Sequence, residues 1–208
     1  MFEKYLLETF GYNEPIFINE LSVPNMSENA MRQAVKRLTA SGYLKRYDTG
    51  IYYIPKPSKL LGTSYLDPYV VVTRKYIKNH TETYGYITGA SFANELGLTT
   101  QMPAVIEIVT NKEATKGRTV TIGGQTIRIK GSALPINDSN AAVLQFLDTV
   151  SQAEKYSELP EPEMVDRLKS YLKRCQITQK QLSAVSSSLT GNTARKLIEW
   201  GIIYEFAS

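Results

Sequence analysis

Turn-forming and helix-breaking residues confine the start of this chain to short elements. Gly11, Pro24, Gly42, the Asp48-Thr49-Gly50 triplet and the Pro55/Pro57 pair follow one another too closely for any long helix or wide sheet. Between them the apolar pattern changes period. Phe2, Leu6, Leu7 and Phe10 recur at helical spacing up to Gly11. Ile16, Phe17 and Leu21 predict a second, short helix over Asn13–Leu21. Ser27 then suits the cap of a third helix running to about Ala40, because its hydroxyl can accept from a first-turn backbone N–H, and Gly42 stops it. Tyr43–Tyr47 and Ile51–Ile54 are rich in strand formers on either side of the turn triplet.

Three short helices and a two-stranded ribbon within residues 1–57 form the winged helix-turn-helix pattern, and predict a DNA-binding domain there. On the third helix Ala30, Ala34, Val35 and Leu38 are expected to point inward. Asn29, Arg32, Gln33 and Lys36 fall at i, i+3, i+4 and i+7, so they share the outward face. Their chemistry suits the major groove of double-stranded DNA: arginine can be bidentate to guanine, asparagine and glutamine to adenine, and lysine contacts phosphate. Arg37 beside this face, with Lys45 and Arg46 on the ribbon, completes the expected DNA-binding set. A merely solvated helix face, or a winged helix that docks a protein, would have the same pattern.

Composition narrows the function from the other side. The 208 residues are 42% apolar with a formal net charge of +4 and mean hydropathy −0.25, which argues for a folded chain. Basic and acidic residues are spread almost evenly, so a nucleic-acid surface must arise by sorting charges onto one face. No apolar run approaches the roughly 18 residues a membrane helix needs, and Met1–Tyr5 lacks the start of a secretory signal. With one cysteine, Cys175, and one histidine, His80, the chain is expected to be cytoplasmic, free of cofactor and metal, and not an enzyme built on histidine or cysteine. Gly123-Gly124 lies between two strand runs and reads as a hairpin turn, not a phosphate cradle. Gly131-Ser132 is followed by the single Asp138, so the paired carboxylates of nucleotidyl transfer are missing.

The remaining chain predicts an α+β protein. Residues 58–150 read as a mixed domain: a helix from Pro68 to about Asn79, a short strand or entry turn at Gly85–Thr88, a helix Gly89–Leu96, a strand Val105–Thr110, and a hairpin of Thr119–Ile122 and Thr126–Lys130. A helix capped by Asp138 or Ser139 follows. Glu158-Leu159-Pro160-Glu161-Pro162 reads as a stiff connection to a helical C-terminal part, residues 151–208, packed on the middle domain. Within it Val165, Leu168 and Leu172 mark one helix, Thr178 caps a second, and Gly191-Asn192 separates a third over Thr193–Trp200. Ile202–Phe206 is an apolar end strand or tail.

The stretch Ala90-Ser91-Phe92-Ala93-Asn94-Glu95-Leu96-Gly97-Leu98-Thr99-Thr100-Gln101-Met102-Pro103-Ala104 resembles the A-x-x-A-N-x-L-G-L-[ST]-T-Q-x-P-A run of AbiE-type antitoxins and the related DUF6088 regulators. The strands after it, and the ribbon ending Gly50-Ile51-Tyr52-Tyr53, are similar to that family over about residues 1–150. The resemblance implies a winged-helix autorepressor of a type IV toxin–antitoxin, or abortive-infection, operon. It implies binding to inverted repeats upstream of its own operon and a separate nucleotidyltransferase toxin that it counteracts; the small basic footprint adds the expectation of self-association on DNA. Asn94 and Gln101, polar within a packing segment, are expected to be buried amides that tie loops to backbone, or else contacts to a partner or ligand. Two rivals remain at this point: a ligand-responsive winged-helix regulator with a sensing pocket near Asn94 and Gln101, and a carboxylate nuclease using Glu82, Glu95 and Glu107.

Overall fold

A computed structural model describes residues 2–58 and 62–206. The architecture is mixed α+β, and the chain divides into two compact units, Met1–Arg74 and Lys75–Ser208.

In the first unit α1 (Phe2–Phe10) buries Leu6 completely and ends where the Gly11 amide donates to the Leu7 carbonyl. The helix expected over Asn13–Leu21 does not form. Ile16–Phe17 is instead a strand, β1, followed by a single turn. Pro15 explains the difference: its ring removes a donor and biases Glu14 toward extended backbone, and both strand residues are then buried. The third expected helix is α2 (Glu28–Ala40), with the Ser27 hydroxyl accepting from the Ala30 amide. Its inward stripe is Met31, Ala34, Val35 and Leu38; Ala30, expected inside, is exposed at the edge of that arc. Gly42 leaves the helix with φ +79°, where a side chain would be strained.

The ribbon is β2 (Lys45–Asp48) and β3 (Ile51–Tyr53), with a register shift between Arg46 and Asp48. β1 pairs antiparallel with β3 on its other side, giving the sheet order β1-β3-β2. Leu6, Ile16, Met31, Val35, Leu38, Leu44 and Ile54 form the core beneath it. The short strands β4 (Pro57–Ser58) and β5 (Gly62–Thr63) pair antiparallel, and α3 (Pro68–Tyr76) follows.

The second unit contains a four-stranded sheet of β6 (Gly85–Thr88), β7 (Val105–Thr110), β8 (Arg118–Ile122) and β9 (Gln125–Gly131), in the order β6-β7-β9-β8. The β8–β9 hairpin turns at Gly123-Gly124 as expected, while β7 and β9 pair in parallel. α4 (Gly89–Glu95) leaves β6 at Gly89, whose φ is +61°; a Cβ there would run into the Glu107 carboxylate. α5 (Ala141–Tyr156) starts one or two residues later than expected, with Asn140 at the cap position. Asn137 and Asn140 exchange side-chain bonds with the backbone of this turn, which keeps Asp138 and Ser139 outside the helix.

The proline pair is a helix start and not a connector: α6 (Glu161–Arg174) opens at Glu161 with Pro162 in its first turn. α5 runs through residue 150, and Val143, Phe146, Leu168, Leu197, Trp200 and Phe206 share one core. α7 (Gln179–Ala184) carries the Thr178 cap as a full capping box with Gln181. α8 (Gly191–Glu199) begins two residues before its expected start, because Thr190 caps it and Gly191-Asn192 belong to its first turn. Ile202–Glu205 forms a 3-10 turn and no strand, with Ile202 and Phe206 buried. Among the described residues no helix is long and apolar enough to cross a membrane.

Candidate nucleic-acid interface

The exposed face of α2 assembles as its spacing predicts. Asn29, Arg32, Gln33, Lys36 and Arg37 are all exposed. The side chains of Asn29, Gln33, Lys36 and Arg37 make no hydrogen bond or ion pair among the described residues. Arg32 differs: its guanidinium lies 2.5 Å from the Glu28 carboxylate one turn earlier, with both side chains more than 60% exposed. Such a pair, in water and on one helix, stabilises by only about 0.3–0.5 kcal/mol, so a DNA base or phosphate can displace it.

The ribbon residues are held more closely. Arg46 is exposed but folded onto its own turn, donating to the Asp48 carbonyl (3.3 Å) and the Thr49 hydroxyl (3.2 Å). Lys45 is half-buried, with its ammonium 5.7 Å from the centre of the Tyr65 ring. The structure therefore separates the expected set into four open side chains on α2, one loosely paired arginine, and two ribbon cations already engaged within the unit.

Asn94 and Gln101 lie in the second unit, and their bonds tie a loop. The Asn94 side-chain amide donates to the carbonyls of Thr99 (3.2 Å) and Gln101 (3.1 Å). Gln101 is exposed, where a buried amide was expected, and donates to Glu158 at 2.7 Å. The same carboxylate accepts from the Thr100 amide at 2.8 Å and the Thr100 hydroxyl at 3.2 Å. These donors, the Thr100 amide first and then the Thr99 and Gln101 side chains, hold Glu158 below the usual carboxylate range. Glu158 is thus the residue that sequence reasoning missed here; 57 residues separate it from Gln101, and no local pattern joins them.

The matched region can now be set against this geometry. A family model described as "Family of unknown function (DUF6088)" matches residues 13–177. The chain belongs to the DUF6088 family. No curated protein matches it. The DUF6088 span runs from before β1 to after α6, so it holds both the α2 face and the loop clamped by Glu158, while α7 and α8 lie beyond it.

The other sequence candidates do not converge in this DUF6088 protein. His80 is exposed, and Cys175 sits half-buried at the C-terminal end of α6. Glu82 and Glu95 are exposed, whereas Glu107 is half-buried and held by Arg128 at 2.8 Å and the Ala90 amide at 3.3 Å. Among the described residues no group of three or more histidine, cysteine, aspartate or glutamate side chains could hold a metal ion.

Proposed function

We propose that this DUF6088 protein is a sequence-specific DNA-binding repressor of the antitoxin type, with the first unit acting as a winged helix. The single observation that carries this reading is the face of α2, which presents Asn29, Gln33, Lys36 and Arg37 exposed and unengaged beside Arg32. The order α1-β1-α2-β2-β3 with sheet order β1-β3-β2 supports it: a winged helix has this connectivity, here with its second helix reduced to the turn after β1. In this reading α2 lies in the major groove, Arg32 and Gln33 read base edges, and Lys36 and Arg37 meet phosphates. Lys45 and Arg46 on the ribbon reach flanking phosphates.

The operator is an inverted repeat upstream of the protein's own operon, occupied by two associated protomers. The protein counteracts a separate nucleotidyltransferase toxin, has no catalytic role of its own, and works in the cytoplasm. The family resemblance over residues 90–104 is what supports the antitoxin part. Gel shifts on the upstream DNA test the assignment. Arg32→Ala should cost about 1–3 kcal/mol of binding and relax base preference, while Lys36→Ala should weaken all sequences alike. Undiminished binding by a folded Arg32→Ala/Lys36→Ala protein would overturn it.

A further inference from the structure

A polar groove in the second unit lies outside the DNA-binding reading and does not depend on it. Two cavities, of about 340 Å³ and 330 Å³, share Thr115 and Lys130 in their walls. That size is in the range that holds a small molecule.

The first cavity is cationic. Strand alternation puts Arg128 and Lys130 on the open face of β9, with Ile127 and Ile129 buried on the other. Lys116 and Arg118 add their charges from the turn into β8. The acid in this wall, Glu107, is already held by Arg128, and Arg118 is held by Glu113 at 2.7 Å. Lys116 and Lys130 have no carboxylate partner among the described residues. Positive charge is therefore left over at the junction of the two cavities.

The second cavity sets polar groups beside an apolar wall. Tyr86 lines it at 8% exposure, and its phenol makes no hydrogen bond among the described residues. Burial, with Asp148 nearby, pushes the Tyr86 phenol up from a value that already leaves it a proton donor at neutral pH. Asp148 accepts from the Thr88 hydroxyl and the Gln152 amide (2.9 Å), which leaves its carboxylate capacity for further donors. Thr190 and Thr193, at the N-terminus of α8, close the far side, and Leu144 and Leu147 give it an apolar wall.

We propose that this groove binds a phosphorylated sugar, either free or as part of a nucleotide, with the phosphate on Lys130 and Lys116 and the sugar hydroxyls on Asp148 and Tyr86. The Tyr86 phenol, unpartnered within the described residues, faces the open groove, where a ligand hydroxyl can take the place of water. The excess cations and the polar groups of the second cavity meet at Lys130, which fits one ligand having both kinds of group.

Calorimetric titration of the full chain with ribose 5-phosphate, adenosine 5′-monophosphate, ribose and inorganic phosphate tests the assignment. At least one ester should bind about tenfold or more tightly than ribose and than phosphate, and Lys130→Ala should reduce that affinity about tenfold, as loss of one charge-assisted bond predicts. Tyr86→Phe should weaken the ester several-fold yet leave the melting temperature unchanged, because the phenol has no bond to lose in the free chain; Lys180→Ala, on α7, should change nothing. A tighter nucleotide or a tighter sugar phosphate supports the site and names its source. Absence of binding by both esters at millimolar concentration, equal binding of ester and phosphate, or an unaltered Lys130→Ala titration would overturn it. So would a short oligonucleotide that outcompetes both esters, since the face would then bind a nucleic-acid strand.

Discussion

Arg32 enters the proposed DNA complex already paired with Glu28, and that acid competes with the DNA for it. Glu28→Gln should therefore tighten operator binding several-fold and tighten a scrambled duplex as well, because a negative charge leaves the DNA-facing helix. The same change removes an acid from the first turn of α2, at a cost of about 0.3–1 kcal/mol. Fluorescence anisotropy on both duplexes checks the first expectation; unchanged affinity for both would mean Arg32 does not reach DNA. In the second unit Lys196 shows the opposite balance. Its side chain is 5% exposed, with the ammonium 2.7 Å from Glu154 and 3.2 Å from the Ser151 carbonyl. Glu154→Ala leaves that buried cation without its counter-charge and should cost about 1–3 kcal/mol, softened because Glu154 itself is largely in water. Lys196→Met added to Glu154→Ala should recover much of the loss in a urea titration, since no buried charge then remains.

At the scale of elements, the clamp between the 94–101 loop and the α5–α6 connection depends on one ionised carboxylate. Glu158 is held below its ordinary value of 4.5, so it binds fewer protons in the folded chain than in the unfolded one near that value. Its contribution is fully present above pH 4.5 and disappears as pH falls through the depressed folded value. Glu158→Gln should flatten the fall of stability with acidification just below pH 4.5, followed by thermal melts across that window. An identical pH profile for the variant would mean that the loop does not need the charge. The Asn94 bonds to Thr99 and Gln101 have no titrating partner and should survive acidification.

At the scale of the whole molecule, the proposed DNA complex has a small footprint. The net charge is +4, and the proposed phosphate contacts are Lys36 and Arg37, open on α2, with Lys45 and Arg46, which first have to leave the Tyr65 ring and the Asp48-Thr49 turn. With about four phosphates neutralised per protomer, log K should fall with log salt at a slope of roughly −3.6. So few contacts do not make a tight site alone, so two protomers on an inverted repeat should bind cooperatively. Anisotropy titrations across salt concentrations, on one half-site and on the full repeat, read both quantities. A slope near −10 for one protomer, or a half-site bound as tightly as the repeat, would contradict the charge map.

What the sequence determined by itself is what local forces settle. Ser27 and Thr178 cap helices because each hydroxyl bonds an amide three residues on, and Gly123-Gly124 turns a hairpin because its own backbone permits it. The polar face of α2 follows from a 3.6-residue period, which places Asn29, Arg32, Gln33 and Lys36 outward but errs at the edge of the arc, where Ala30 is exposed and Met31 buried. Ile16–Phe17 was misread because its apolar spacing fits a helix or a strand equally, and β3, more than 30 residues away, decides between them. The parallel pairing of β7 with β9, the hold of Glu158 on Thr100 and Gln101, and the meeting of Lys130 with Tyr86 and Asp148 belong to the tertiary structure. Each joins groups distant along the chain, and a sequence pattern records which face a residue takes but not which partner arrives there.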